Sequence, residues 1–180
     1  VSIIGAMLAT RCIVSITMEE ASMIKPMLAK SSKPFNSNDW IYEPKLDGVR
    51  CIAYLDEKVK LQARSGMDIT YKFPELVGIY RQAGKPCILD GEIVCRNFDA
   101  IQHRIHKEKP LDIKVAVKQY PATYYTFDII NLSGESLAPK PLLERKVALT
   151  NNFTTDRNAR LLAFQNGYGI ILFEKIASHV

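Results

Sequence analysis

Apolar and polar positions alternate along this chain in short runs, and two periods can be told apart. Residues 40–45 read as extended. Residues 49–55 and 59–63 are apolar or alternating runs divided by Asp56-Glu57-Lys58, the pattern of a hairpin. Residues 87–95 form another strand-like run, and residues 122–132 are rich in aromatic and β-branched side chains, as in a buried strand. Helical spacing replaces alternation elsewhere. Residues 74–83 open on Pro74 and stop before Gly84, which predicts a helix. Residues 99–106 and 112–119 read as helices, and residues 141–149 open on Pro141 and set Leu143 and Val147 four apart on one face. Residues 157–164 and 170–177 are expected to be two more helices. Residues 26–39 read as irregular chain, and residues 1–25 carry no usable pattern and stay unassigned as an N-terminal segment. Strands interrupted by helices at uneven spacing, with no internal repeat, predict an α+β fold with mostly antiparallel sheets and flanking helices.

Composition narrows the class. With 47% hydrophobic and 24% charged residues, the 180-residue chain can bury a core and is expected to fold as one domain rather than stay disordered. No uncharged apolar run approaches the ~20 residues of a membrane span. The apolar stretch over residues 1–16 is broken by Arg11 and lacks a basic leader, so a secretory signal is not expected. A first residue that is Val rather than Met suggests a fragment. Cys12, Cys51, Cys87 and Cys95 form no C-x-x-C pair, and the last three sit in strand-like runs. All four are expected to be reduced core residues, which places the protein inside the cell, in the cytoplasm or with the nucleoid.

The charge is +5 overall, a modest lean towards polyanions. Between His103 and Lys118, Arg104, Lys107, Lys109, Lys114 and Lys118 outweigh Glu108 and Asp112 by three. That window suits either a phosphate-facing surface or a solvated helix face. His103 and His106 are three apart on a predicted helix, but two ligands do not make a metal site.

Four clusters could carry chemistry. Glu43-Pro44-Lys45-Leu46-Asp47-Gly48-Val49-Arg50 crowds charge at a strand corner whose neighbours are apolar or aromatic. Partial desolvation there would favour the neutral, nucleophilic amine of Lys45, whereas Asp47 would favour its cation. Gly48 would allow a turn or close approach to a ligand, and Arg50 offers a planar fork for phosphate. An ordinary charged surface hairpin fits the same corner. Arg64-Ser65-Gly66 ends a strand with groups that suit a phosphate, or a plain turn. Asp90 and Glu92 share one face of an otherwise apolar strand, an expensive placement unless they meet ligands, metal or bases. The run from Tyr124 to Ile130 could stack an aromatic on a base or simply be core.

The order of these clusters is more specific than any one of them. Lys45 precedes Arg64 by 19 residues, Arg64 precedes Glu92 by 28, and Glu92 precedes Phe127 by 35. K-x-D-G-x-R (Lys45, Asp47, Gly48, Arg50), R-x-G (Arg64, Gly66), D-G-E (Asp90, Gly91, Glu92) and the run from Phe127 and Asp128 to Gly134 and Leu137 together resemble the ATP-dependent DNA ligases. Pro26-Met27-Leu28-Ala29 and Pro34-Phe35 before Trp40 are similar to the start of ligase catalytic domains. The resemblance covers residues 26–180 and implies a partial adenylation domain of the ligase nucleotidyltransferase fold, which is ATP-grasp-like.

That resemblance implies roles. Lys45 would attack the α-phosphorus of ATP and carry AMP as a lysine adenylate, with magnesium assisting. Glu43 would meet the adenine amino group, Glu92 the ribose hydroxyls and Phe127 the adenine face. Arg50 would contact ribose or phosphate, and Arg64 the 5′-phosphate of a nick in duplex DNA. Asp47 and Asp90 would order the site rather than react. The metal ligands stay unassigned. The activity implied is nick sealing, in DNA replication, repair and recombination. Two motifs of the family, an E-G pair and a K-x-K, do not follow in order: after Phe127 the lysines are Lys140, Lys146 and Lys175. Poor self-adenylation and no independent sealing are therefore expected. An RNA ligase or a GTP-using messenger-RNA capping enzyme is the nearest alternative, although Glu43 and Gly134-Glu135-Ser136-Leu137 favour the DNA ligase. An inactive nucleotide- or DNA-binding module is the alternative from another class.

Overall fold

The computed structural model describes residues 24–26 and 33–178. Cys12, His179 and most of the unassigned N-terminal segment lie outside the described residues, as do Met27, Leu28 and Ala29 of the upstream match.

Strand β1 (Ser37–Tyr42) leads through the charged corner to the hairpin β2 (Val49–Leu55) and β3 (Val59–Ala63), paired antiparallel from Cys51–Ala63 to Leu55–Val59. Next come short 3-10 turns, then β4 (Cys87–Val94), α1 (Phe98–Ile105), α2 (Pro110–Gln119) and β5 (Thr123–Leu132). The chain ends with β6 (Glu135–Ser136), α3 (Leu142–Asn152), β7 (Ala159–Leu161), β8 (Gln165–Gly167) and α4 (Gly169–Ala177). The larger sheet runs β3-β2-β4-β5-β6, with β7 alongside β5; β1 and β8 form a separate two-stranded sheet. Among the described residues every strand pairing is antiparallel except β5 with β7, so the expected α+β architecture is the one found.

Alternation along β2 separates two environments. Cys51, Ala53 and Leu55 point to the main core with Leu61, Leu89, Ile93, Tyr124 and Ile129. Against them lie Phe73, Leu76 and Ile79 from the 3-10 turns and Ile101 from α1. Ile52, Tyr54 and Ile88 form a smaller apolar patch on the opposite face. Arg50 shares that face, and so do Asp90 and Glu92 on β4. The sheet is therefore a wall with oil on one side and charge on part of the other.

Two expected helices are not formed. Residues 74–83 fold as two 3-10 turns, Pro74–Leu76 and Ile79–Gln82, rather than one α-helix. Phe73, Leu76 and Ile79 recur every third residue and all are buried, a period that fits three residues per turn better than 3.6. Residues 157–164 contain β7 instead of a helix. There Asp156 Oδ1 accepts from Asn158 and Ala159 N–H, each at 2.8 Å, and this Asx turn launches a strand against Tyr124–Thr126. The remaining helices fall where expected. Asn97 caps α1 by accepting from Ala100 N–H, and Pro110 occupies the first turn of α2.

Arg104 corrects the reading of the basic window. Its guanidinium is buried, donating to Glu75 Oε1 at 2.6 Å and Oε2 at 3.0 Å, to Tyr120 O at 2.7 Å and to Lys72 O at 2.8 Å. It therefore ties α1 to the 3-10 turns and the end of α2 and faces no phosphate. Lys109, Lys114 and Lys118 are exposed, and Lys107 is half-buried. Cys51 and Cys87 are buried free thiols, and Cys95 is a half-buried one.

Candidate functional site

The charged face is built on strand register. Arg50 pairs across from Glu92 in the ladder, and Ile52 from Asp90. Arg50 reaches diagonally to Asp90, with Nε on Oδ1 at 2.6 Å and Nη2 on Oδ2 at 2.7 Å. Such a fork is among the stronger ionic arrangements. Glu92 Oε1 accepts from Gly48 N–H at 2.9 Å. The two carboxylates that looked expensive on an apolar strand have thus met a base and a backbone donor.

Glycine is required at two points by close approach. A Cβ on Gly48 would lie 2.3 Å from Ile93 O, and one on Gly91 would lie 2.4 Å from Tyr125 O. Gly48 therefore permits close contact with β4 and docks the corner onto the strand that carries Asp90 and Glu92.

Phe127 owes its place to an irregularity. Thr126 pairs with Gly91 and Asp128 with Asp90, so Phe127 is an extra residue in β5. This β-bulge lets both Phe127 and Asp128 sit with the charged face while Thr126 and Ile129 stay buried. The Arg50 guanidinium carbon lies 4.4 Å from the centre of the Phe127 ring, a cation–π contact. Asp128 is held by Arg145 of α3, with Nε–Oδ1 and Nη2–Oδ2 both at 2.8 Å.

Glu43 follows β1 and points at α3. Lys146 donates to Glu43 Oε1 and to Phe127 O, and its ammonium lies 5.5 Å from the centre of the Phe164 ring. Its side chain is 4% exposed and that of Glu43 is 25% exposed. Lys45, two residues on, differs from expectation: its side chain is 87% exposed, with Asp47 Oδ1 4.0 Å from Nζ. The corner is open to water, so the partial desolvation expected around Lys45 is not found. Arg64 stands apart, exposed in a turn closed by Gly66 N–H on Ala63 O at 2.8 Å, at the Arg50 end of the hairpin.

Burial raises the carboxyls of Glu43, Asp90 and Glu92 above their ordinary values. Opposing contacts pull each down: Lys146 for Glu43, Arg50 for Asp90, and the Gly48 N–H for Glu92. A cavity of about 490 Å³ opens beside the corner between Tyr42, Glu43, Lys45, Leu172, Phe173 and Ile176. Among the described residues no three or more His, Cys, Asp or Glu side chains gather as a metal site. His103 is stacked on Tyr120.

Sequence reasoning thus located Glu43, Arg50, Glu92 and Phe127 on one connected network, with Lys45 at its rim and Arg64 outside it. It missed Lys146 and Arg145. Both lie in a helix legible only as amphipathic, and the one available signal was a pair of adjacent cations following an apolar pair, Leu142-Leu143.

The profile described as "ATP dependent DNA ligase domain" matches residues 26–173. The SPbeta prophage-derived DNA ligase-like protein LigB of Bacillus subtilis (strain 168) is 33% identical over 158 residues, 83% of this chain and 55% of its own length. DNA ligase C of Mycobacterium tuberculosis is 35% identical over 138 residues, 73% of this chain and 38% of that protein. Among solved structures, the ligase domain of M. tuberculosis LigD superposes with a TM-score of 0.67 at 22% identity, covering 86% of this chain and 50% of that one. A mycobacterial DNA ligase D complexed with ATP and MES gives a TM-score of 0.65 at 21% identity, with the same coverage. At such identities these two show likeness of fold. The chain spans about half or less of the length of these relatives.

Proposed function

Because the chain belongs to the ATP dependent DNA ligase domain family, we propose that it is the nucleotide-binding part of an ATP-dependent DNA ligase and takes up AMP on Lys45. The observation that carries this reading is the Gly48–Glu92 hydrogen bond at 2.9 Å, which joins the segment bearing the amine to the strand bearing the carboxylates.

The exposed amine, once neutral, attacks the α-phosphorus of ATP. A P–N bond forms as the P–O bond to pyrophosphate breaks, and the second amine proton leaves to solvent. Glu92 holds one oxygen on Gly48 and offers the other to the ribose hydroxyls. Phe127 supplies a ring face for adenine, Glu43 an acceptor for its amino group, and Arg50 a cation for ribose or phosphate. Asp90 keeps Arg50 in place. Asp47, an exposed carboxylate near Lys45, would help hold magnesium brought in with the nucleotide, and the metal would supply positive charge against that building on the departing pyrophosphate. In a complete ligase AMP would pass to the 5′-phosphate of nicked duplex DNA, met by Arg64, and the 3′-hydroxyl would then displace it.

A second reading, a nucleotide- or DNA-binding module without turnover, is favoured by one observation: the Lys45 side chain is 87% exposed rather than enclosed. Intact-mass and peptide mass spectrometry after incubation with ATP and magnesium separates the two. Slow gain of one AMP on Lys45, lost in Lys45→Ala, supports the ligase reading. ATP binding without an adduct moves the assignment to the second reading, and a GMP adduct in preference to AMP moves it to the capping-type enzymes.

A further inference from the structure

Lys146 lies outside every motif that pointed to the site, yet its ammonium is buried on Glu43 and the Phe127 carbonyl, two residues given to the base in the reading above. A buried ammonium is costly to hold unless its donors are satisfied. Lys146 answers that requirement by bridging three elements: α3, the segment after β1 and the bulge in β5. The other charged groups felt by Glu43 are Asp128 from β5, already forked by Arg145 of α3, and Arg50 from β2, forked by Asp90. Among the described residues Lys146 is thus the cation in direct contact with Glu43.

The consequence is chemical. An ionised carboxylate only accepts hydrogen bonds, whereas a protonated one can donate. Adenine presents an amino donor at position 6 and guanine an oxo acceptor. With one oxygen fixed on Lys146, an ionised Glu43 has its second oxygen free to accept from adenine and to repel guanine.

We infer that Lys146 is a positioning residue for purine selectivity: its ammonium orients the Glu43 carboxylate and keeps it an acceptor, so that the site prefers ATP over GTP. This rests on the nucleotide-binding reading above. Burial already pushes the Glu43 carboxyl up, and losing the opposing lysine would push it further towards the protonated form that can donate to guanine.

The test is calorimetric titration of the 180-residue chain with ATP and, separately, GTP in magnesium. Lys146→Met should narrow the ratio of GTP to ATP dissociation constants roughly tenfold, the size expected for one charge-assisted hydrogen bond. Lys146→Arg, which keeps the charge, should restore most of the ratio. Glu43→Gln should narrow it similarly, and adding Lys146→Met to Glu43→Gln should change it little further. If Lys146→Met does not fold, as judged by circular dichroism, Lys146→Gln takes its place and should narrow the ratio. An unchanged ratio with both nucleotides weakened equally would show Lys146 to be scaffold only and overturn the inference while leaving nucleotide binding intact. Failure of the unaltered chain to bind either nucleotide would instead remove the nucleotide-binding reading, and the inference with it.

Discussion

Lys72 and Lys146 are buried to the same degree, each with a side chain 4% exposed, and each donates to one carboxylate and one backbone carbonyl. Their partners differ. Glu108, paired with Lys72, is 66% exposed and also accepts from Tyr71 at 2.6 Å; the Lys72 and Tyr71 contacts hold its carboxyl below the ordinary value. Glu43, paired with Lys146, is 25% exposed and its carboxyl is pushed up by burial. The first cluster, with Arg104 and Glu75 nearby, is scaffold whose outer carboxylate, Glu108, reaches water while Glu75 stays covered by Arg104. In the second, Asp90 and Glu92 on one sheet face and Glu43 after β1 are all held against desolvation, an arrangement that favours stability less than it favours a ligand.

Arg104→Met should break the scaffold cluster most severely, because Glu75 would lose its fork. A loss of about 3 kcal/mol or more is expected, read as a lower urea midpoint. Lys72→Met should also lower the midpoint but leave the GTP-to-ATP ratio unchanged, which contrasts it with Lys146→Met. A changed ratio in Lys72→Met would erase the distinction drawn between the two lysines.

Next in size is a test of whether the scaffold side has a partner of its own. Lys107→Glu, Lys109→Glu and Lys114→Glu together should weaken binding of nicked duplex DNA about tenfold at low salt and flatten its salt dependence. Unchanged affinity and slope would restrict that surface to solvation.

The smallest effects concern pH and have opposite signs in the two clusters. Glu92 is raised above its ordinary 4.5 by burial, so it favours the folded state at low pH and that contribution is lost as pH rises through the raised value. Gln at this position can still accept from Gly48. Glu92→Gln should therefore match the unaltered chain in acid and gain relative stability as pH rises, while weakening nucleotide binding. Glu108 is lowered, so its contribution is present above 4.5 and lost as pH falls through the lowered value. Glu108→Gln should be less stable than the unaltered chain at neutral pH and converge with it in acid. Urea midpoints across the acid-to-neutral range check both, and equal signs would contradict the contrast.

Legibility followed the range of the interactions. The hairpin, β4 and β5 could be read because alternation and turn residues are local signals, and the corner from Glu43 to Arg50 because it and the clusters after it resemble the ligases in order, although the corner alone fits a plain charged hairpin. Arg104 was misread as surface since its partners, Glu75 and the carbonyls of Lys72 and Tyr120, are 16 to 32 residues away. Lys146 was missed for the same reason, being 103 residues from Glu43. The pairing of β1 with β8 is equally remote. The bulge left a faint trace in β5: Tyr124, Thr126 and Ile129 are buried, a spacing that changes from two to three at Phe127.

Because the ladder steps from Thr126–Gly91 straight to Asp128–Asp90, Phe127 is supernumerary to the sheet. A gene lacking that single codon would still encode the same strand partners, with Thr126, Asp128 and Ile129 in plain alternation. The deletion would take away both the ring 4.4 Å from the Arg50 guanidinium and the carbonyl that receives Lys146, so what that codon adds is a surface and an oxygen for the charged face, beyond anything the ladder needs.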